Sequence, residues 1–93
     1  MAQATATVQI DNERVSVTEW KFAPGAETGW HRHNYDYVVV PQTTGKLRLK
    51  TKVGDSVSEL TSGKSYFRKA GVEHNVINAS DDEFVFIEIE MKS

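Results

Sequence analysis

The sequence of 93 residues contains no cysteine. Disulfide bonds, thiolate metal ligands and a cysteine nucleophile are therefore excluded, and nothing in the composition points to an oxidising compartment. No apolar run approaches the roughly 20 residues that a membrane-spanning helix needs, and residues 1–10 lack the basic and apolar regions of a secretory signal. These absences predict a cytoplasmic protein that has no membrane partner.

Concentrated positive charge is also missing, since the formal net charge is −2. The densest basic stretch, residues 46–52, has a lysine or arginine at every second position, with Leu47 and Leu49 between them. This alternation is typical of a strand with one solvated face and one face toward the core. Nucleic-acid-binding domains usually carry a strongly basic surface, so we expect no nucleic-acid partner.

Helical periodicity is absent, and the chain consists of short β-rich runs separated by turn residues. Strands at this spacing indicate an all-β sandwich or barrel. The length fits a single domain over residues 1–93, and a core this small favours a homodimer that buries further apolar surface. We expect the dimer to use sheet edges and the strands near Trp20 and Phe86. The predicted strands are residues 6–10, 15–22, 30–33, 35–40, 46–52, 56–60, 65–68, 74–78 and 83–92.

All three histidines of the chain fall at positions that can serve one metal ion. His31 and His33 lie two apart in a predicted strand and therefore face the same side. His74 can join them only if the fold curls back over itself. Neutral imidazoles are good ligands for a divalent transition metal, which can be Fe, Mn, Ni, Cu, Co or Zn. Three protein ligands leave positions open for water or substrate, as in a reactive site.

The spacing of these histidines and of nearby glycines resembles the two motifs of the cupin superfamily. The motifs are G-x5-H-x-H-x3-4-E-x6-G and G-x5-P-x-G-x2-H-x3-N, and Lys69 replaces the proline of the second. Together they span residues 25–78, over half of the chain. The resemblance implies a cupin double-stranded β-helix, which is a jelly-roll barrel, with one divalent ion on the three histidines. The matching residues are Gly25, His31, His33, Gly45, Gly63, Gly71, His74 and Asn78.

A narrower resemblance covers residues 22–41. The Phe-Ala-Pro-Gly-Ala opening, the Thr-Gly-Trp-His-Arg-His run and the Asp-Tyr-Val-Val-Val-Pro run are similar to those of the small bacterial cupins named as β-alanine degradation proteins. Residues 85–92 resemble the closing strand of the same proteins. This resemblance implies a genetic context in amino-acid catabolism more than a particular reaction.

The glutamate of the first cupin motif is missing from this chain. Tyr37 or Val38 stands in its place, and Asp36 lies one residue early. Three neutral imidazoles cancel none of the charge of a divalent ion, so such a site favours a ligand that brings negative charge. An unperturbed phenol has a pKa of about 10, which favours a hydrogen-bonding role for Tyr37 over direct ligation. Strand alternation points Asp36 away from Tyr37 and so argues against Asp36 as the substitute ligand.

The three-histidine pattern resembles the cupin dioxygenases in which substrate chelates iron. We therefore predict a metal-dependent, dioxygenase-like enzyme for a small anionic metabolite, with Tyr37 positioning substrate or dioxygen. One alternative is a non-catalytic cupin that binds a metal or small ligand as an accessory to amino-acid catabolism. A metal-free alternative, that of the sugar epimerase cupins, pairs a histidine with a carboxylate. It ranks last because no inward carboxylate is evident. Further candidates for the pocket wall are Tyr35, Tyr66 and Phe67.

Overall fold

A computed structural model describes residues 2–93, in which every predicted strand is present and ends within two residues of its predicted bounds. No helix occurs in these residues, so none is available to cross a membrane there. The strands are β1 (Thr5–Asp11), β2 (Val15–Phe22), β3 (His31–Arg32), β4 (Asp36–Pro41), β5 (Gly45–Thr51), β6 (Gly54–Leu60), β7 (Tyr66–Arg68), β8 (Glu73–Asn78) and β9 (Phe84–Met91).

The strands form two antiparallel sheets that face each other. One sheet has five strands in the order β1-β2-β9-β4-β7, and the other has four in the order β3-β8-β5-β6. Strands that are neighbours in a sheet are often distant in sequence, because β4 pairs with β9 and β5 pairs with β8. The predicted all-β jelly-roll barrel is confirmed, and the crossing of the chain between sheets brings β8 beside β3.

Alternation along the strands decides which side chains fill the barrel. In β9, Phe84 and Phe86 are buried while the residues between and after them are partly exposed. Phe86 contacts Phe22 with ring centroids 5.4 Å apart, and Trp20 packs against the same core. Both rings therefore point inward, and the expectation that the strands near Trp20 and Phe86 serve a dimer concerns the outward residues of those strands.

Two residues of the cupin motifs hold the corner between β8 and β9. The fully buried Asn78 amide donates hydrogen bonds to the carbonyl oxygens of Phe22 (3.2 Å) and Asp82 (2.8 Å), and its oxygen accepts one from the Ser80 amide. Gly45 approaches so closely that a Cβ there would lie 2.5 Å from the Ser80 Oγ atom. The same Cβ would lie 2.8 Å from the Phe84 ring, so a larger residue at this position would require the Ser80 and Phe84 side chains to move.

Candidate metal centre

The two sheet-forming segments that carry the histidines lie side by side. His31 and His74 are directly opposite each other in the pairing of β3 with β8. His33 follows β3, and its amide donates a hydrogen bond to the Val72 carbonyl (2.8 Å), while the Gly71 amide donates to the His33 carbonyl (2.8 Å). The backbone therefore fixes the position of all three rings, and the structure brings the predicted ligands together.

The three rings point their Nε2 atoms at one another. The Nε2 atom of His33 lies 3.0 Å from that of His31 and 3.2 Å from that of His74. Two nitrogens that are each about 2.1 Å from one ion lie about 3.0 Å apart at a right angle and about 3.4 Å apart at the tetrahedral angle. The observed separations fall in this range, so the donor set fits a single transition-metal ion.

The protonation of the rings also suits metal binding. The Nδ1 atom of His31 lies 2.9 Å from the Gly29 carbonyl oxygen. A proton on Nδ1 satisfies that carbonyl and leaves the Nε2 lone pair free for a metal. Burial, followed by the charge of the neighbouring His31, lowers the pKa of His33 and of His74 to about 4. Both rings are therefore neutral at pH 7 and act as ligands without first losing a proton.

Tyr37 lies inside the barrel, against the cluster. Its side chain is 3% exposed, and its ring stacks on that of His33. Burial, followed by the negative charge of Glu88, raises the pKa of the Tyr37 phenol, so the hydroxyl stays protonated at neutral pH. Asp36 lies on the other side of β4, where its carboxylate accepts a hydrogen bond from the Ala70 amide (2.8 Å). These positions favour Tyr37 as a neutral hydrogen-bonding group and leave Asp36 outside the site.

Two carboxylates beside His33 correct the expectation that no acidic group points inward. Glu88 and Glu90 place carboxylate oxygens 3.8 Å and 3.6 Å from the Nδ1 atom of His33. These distances are too long for hydrogen bonds, so the two carboxylates lie beside the imidazole without bonding to it. Burial, and then repulsion from Glu90, raises the pKa of Glu88 to about 7. The sequence contained a signal for this inward direction, because Glu88 and Glu90 continue the alternation of Phe84 and Phe86 along one strand.

The histidines open onto a cavity of about 150 Å³ between the two sheets. Arg68 is the one lysine or arginine on its wall among residues 2–93, and sequence analysis did not identify it. Its guanidinium lies 4.5 Å from the centre of the Tyr66 ring, which also lines the cavity. Tyr35 and Phe67 do not line the cavity and are 40% and 49% exposed. The cavity therefore combines an apolar wall with one cation and one carboxylate near the histidines.

Comparisons with known proteins agree with the resemblance to the cupins found in the sequence. Residues 18–90 match the family model described as Cupin domain. The Beta-alanine degradation protein BauB of Pseudomonas aeruginosa is 66% identical over 90 residues, which are 97% of this chain and 95% of that protein.

Solved structures agree in fold. A cupin domain from Bordetella pertussis Tohama I superposes with a TM-score of 0.96 at 67% identity, covering 99% of this chain and 96% of that one. A conserved protein with a double-stranded β-helix domain from Klebsiella pneumoniae has a TM-score of 0.80 at 21% identity, covering 97% of this chain and 77% of that one. The second likeness concerns the fold alone.

Proposed function

This chain belongs to the cupin domain family, and we propose that it is a metal-dependent enzyme that transforms a small carboxylate inside the barrel. The observation that carries the proposal is the convergence of three imidazole Nε2 atoms at the base of a cavity. His31, His33 and His74 would hold one divalent first-row ion. Such an ion supplies Lewis acidity and, if it is iron, a binding site for dioxygen. In its specific form, the proposal is that the ion is iron and that the reaction resembles that of a dioxygenase.

The remaining groups of the cavity have roles that their chemistry suggests. The Arg68 guanidinium presents paired N–H donors suited to a carboxylate, and it lies on the cavity wall. Tyr37, kept neutral by burial, offers a hydroxyl that orients a bound oxygen atom. Glu88, with its pKa raised to about 7, can hold or release a proton near neutral pH. A small anion can thus be anchored at one end and meet the histidine cluster at the other.

The relative from P. aeruginosa suggests the substrate class. That protein is named for β-alanine degradation, and we propose that this chain acts in the same catabolic context on an acid of similar size. Cavities of about 150 Å³ hold molecules as large as benzene, which has as many non-hydrogen atoms as β-alanine. The volume of about 150 Å³ therefore supports a three-carbon or four-carbon acid.

A second candidate function follows from Glu88 and Glu90. Their carboxylates flank the Nδ1 edge of His33, and a histidine assisted by a carboxylate can act as a base without a metal. Metal dependence separates the two candidates, because a metal-free base keeps its activity in a strong chelator. A non-catalytic accessory cupin would bind the metal and the acid without converting the acid.

The test begins with metal analysis of protein purified without an affinity tag. We expect about one first-row metal per chain in the wild type and loss of that metal in His31→Ala, His33→Ala and His74→Ala. Asn34→Ala is the matched control, because Asn34 is exposed and adjoins His33. Fe(II)-loaded protein should then consume dioxygen when offered small oxo acids or diketones. Metal bound equally by all variants would refute the site, and binding of the acids without turnover would favour the accessory role.

A further inference from the structure

The segment before β3 pairs with β8 on both sides of a single irregularity. Glu27 forms a bridge with Ile77, and His31 pairs with His74. The chain advances four residues from Glu27 to His31, whereas its partner advances only three from Ile77 to His74. The segment therefore contains one extra residue, which makes it a β-bulge. Gly29 lies in this bulge with a φ of +86°, the left-handed conformation that a glycine adopts readily.

The bulge decides which way His31 points. Side chains alternate along a regular strand, so residues four apart share a face. Ile77 lies between two buried residues of β8 and faces outward, and its partner Glu27 shares that face. Without the extra residue, His31 would also point out of the barrel. With the extra residue, His31 faces inward beside His74 and reaches the other two rings of the cluster.

Asn75 lies opposite the bulge and holds it with its side chain. Its Oδ1 atom accepts a hydrogen bond from the Gly29 amide (3.0 Å), and its Nδ2 atom donates one to the Oε1 atom of Glu27 (3.1 Å). A backbone N–H only donates and an ionised carboxylate only accepts, so these partners allow one orientation of the Asn75 amide. The neighbouring backbone is fixed as well, because the Thr28 amide donates to the Val76 carbonyl (2.9 Å).

The same turn fixes the ring of His31. Its Nδ1 atom lies 2.9 Å from the Gly29 carbonyl oxygen and 3.2 Å from the Thr28 Oγ1 atom. A carbonyl oxygen can only accept, so Nδ1 carries the ring proton and the Nε2 lone pair faces the other two rings. His31 is partly exposed, whereas His33 and His74 are buried. The ring of His31 therefore depends on hydrogen bonds more than the two packed rings do.

Residues 2–4 hold the outer end of this hydrogen-bonded chain. The Glu27 amide donates to the Ala2 carbonyl (3.1 Å), and the Ala4 amide donates to the Glu27 carbonyl (2.8 Å). The Glu27 side chain is partly buried beneath them. A hydrogen bond to an ionised carboxylate is stronger than one between neutral groups. Glu27 is therefore a firm support for the Asn75 amide.

We propose that Asn75, supported by Glu27, is the positioning residue that locks the Gly29 bulge and thereby presents His31 to the metal as its Nδ1–H tautomer. This role rests on the proposed function, because it requires an ion on the three histidines. Groups that hydrogen-bond to a ligand histidine fix its tautomer and orientation, and their loss costs about 10–100-fold in metal affinity. Bulges are also frequent beside active sites, where they redirect a side chain.

The first test compares wild type with Asn75→Leu, which keeps the size of the side chain and removes its donor and acceptor. In metal-free protein at about pH 8, nitrogen-15 NMR of the imidazoles should show His31 as the Nδ1–H tautomer in wild type and as a mixture of tautomers in the variant. Affinity for Co(II) should fall about tenfold or more. Asn34→Leu is the matched control, because Asn34 is exposed and also adjoins a histidine of the cluster, and it should match wild type.

Thermal melts followed by circular dichroism check that each variant is folded. A folded Asn75→Leu protein that keeps the wild-type tautomer of His31 or the wild-type affinity for Co(II) would overturn the role of Asn75 and leave the metal centre intact. Weaker Co(II) binding with an unchanged tautomer would reflect general distortion only. Failure of wild type to bind Co(II) would instead refute the proposed metal centre and the role of Asn75 with it.

The second test removes the support of the Asn75 amide, and it decides the question if Asn75→Leu does not fold. Glu27→Leu and Glu27→Gln both remove the negative charge, but only glutamine keeps an oxygen that can accept from the Asn75 Nδ2 atom. Glu27→Leu should therefore lower Co(II) affinity several-fold and shift the His31 tautomer, whereas Glu27→Gln should retain most of the affinity. Equal affinities and equal tautomer populations in these two variants would overturn the proposal.

Discussion

The phenol ring of Tyr37 stacks on the imidazole ring of His33, with ring centroids 3.9 Å apart and an interplanar angle of 21°. Tyr37 occupies the region of the sequence where the cupin motif has a glutamate. The side chain therefore packs against one of the three rings that could hold a metal, at the place where the family pattern supplies a charged ligand. If a divalent ion binds to the three histidines, as proposed above, this exchange would give an incoming anion a larger part in balancing the charge of the metal.

Substitutions at Tyr37 should separate its packing from its hydroxyl. Tyr37→Phe keeps the stacked ring, so metal affinity should hold, whereas affinity for azide or a small oxo acid should fall several-fold because a hydrogen bond of about 1 kcal/mol is lost. Tyr37→Glu should hold or raise metal affinity and weaken anion binding, because a carboxylate then neutralises part of the metal charge. Calorimetric titration of metal and anions measures both. Equal affinities in all three proteins would exclude Tyr37 from the site.

Removal of Arg68 should weaken anion binding without loss of metal. A hydrogen bond to a charged group contributes about 1.5–3 kcal/mol, so Arg68→Ala should lower the affinity of metal-loaded protein for a small oxo acid about tenfold or more. Arg48→Ala is the control, because Arg48 is an exposed arginine of β5 outside the cavity. If the two variants bind the acid as wild type does, the carboxylate anchor lies elsewhere.

Glu88→Gln should stabilise metal-free protein at high pH. Since the pKa of Glu88 is raised to about 7 from 4.5, the folded state retains a proton that the unfolded state has lost. Stability is therefore lost as pH rises from about 4.5 to about 7, by up to about 3 kcal/mol. The glutamine variant avoids this loss, so its advantage in Tm should grow over that window and then remain constant. Glu59→Gln, at a side chain that is 78% exposed, should show no such trend in thermal melts.

The buried histidines should give the opposite pH dependence. The pKa values of His33 and His74 are lowered to about 4 from 6.5, so the unfolded state binds more protons between these values. Stability of metal-free protein should fall as pH decreases from about 6.5 to about 4. Urea unfolding should be measured in a Glu88→Gln background, because this substitution removes the opposing pH dependence of the Glu88 carboxylate. A further His74→Gln change should flatten the slope, and an unchanged slope would mean that His74 is not buried as a neutral ring.

Local patterns predicted the strands and the three histidines that the structure brings together. Gly45 and Asn78 could be recognised by motif spacing, and the structure supplies the reason: one allows a close approach to Ser80 and the other ties the corner before β9. His31 and His33 share a face because a strand repeats every two residues. These features depend on residues close in sequence or on a spacing that the family keeps.

Other features depended on which strands become neighbours. Alternation placed Phe84, Phe86, Glu88 and Glu90 on one face of β9, but it could not say that this face turns toward His33. Arg68 likewise joins the cavity only because β7 pairs with β4. The sequence by itself determined the strands, their faces and three histidines suited to one metal. The tertiary structure decided that Glu88, Glu90 and Arg68 lie near the histidines and that an apolar face of the five-stranded sheet remains outside. The reason is that long-range strand register sets which faces meet.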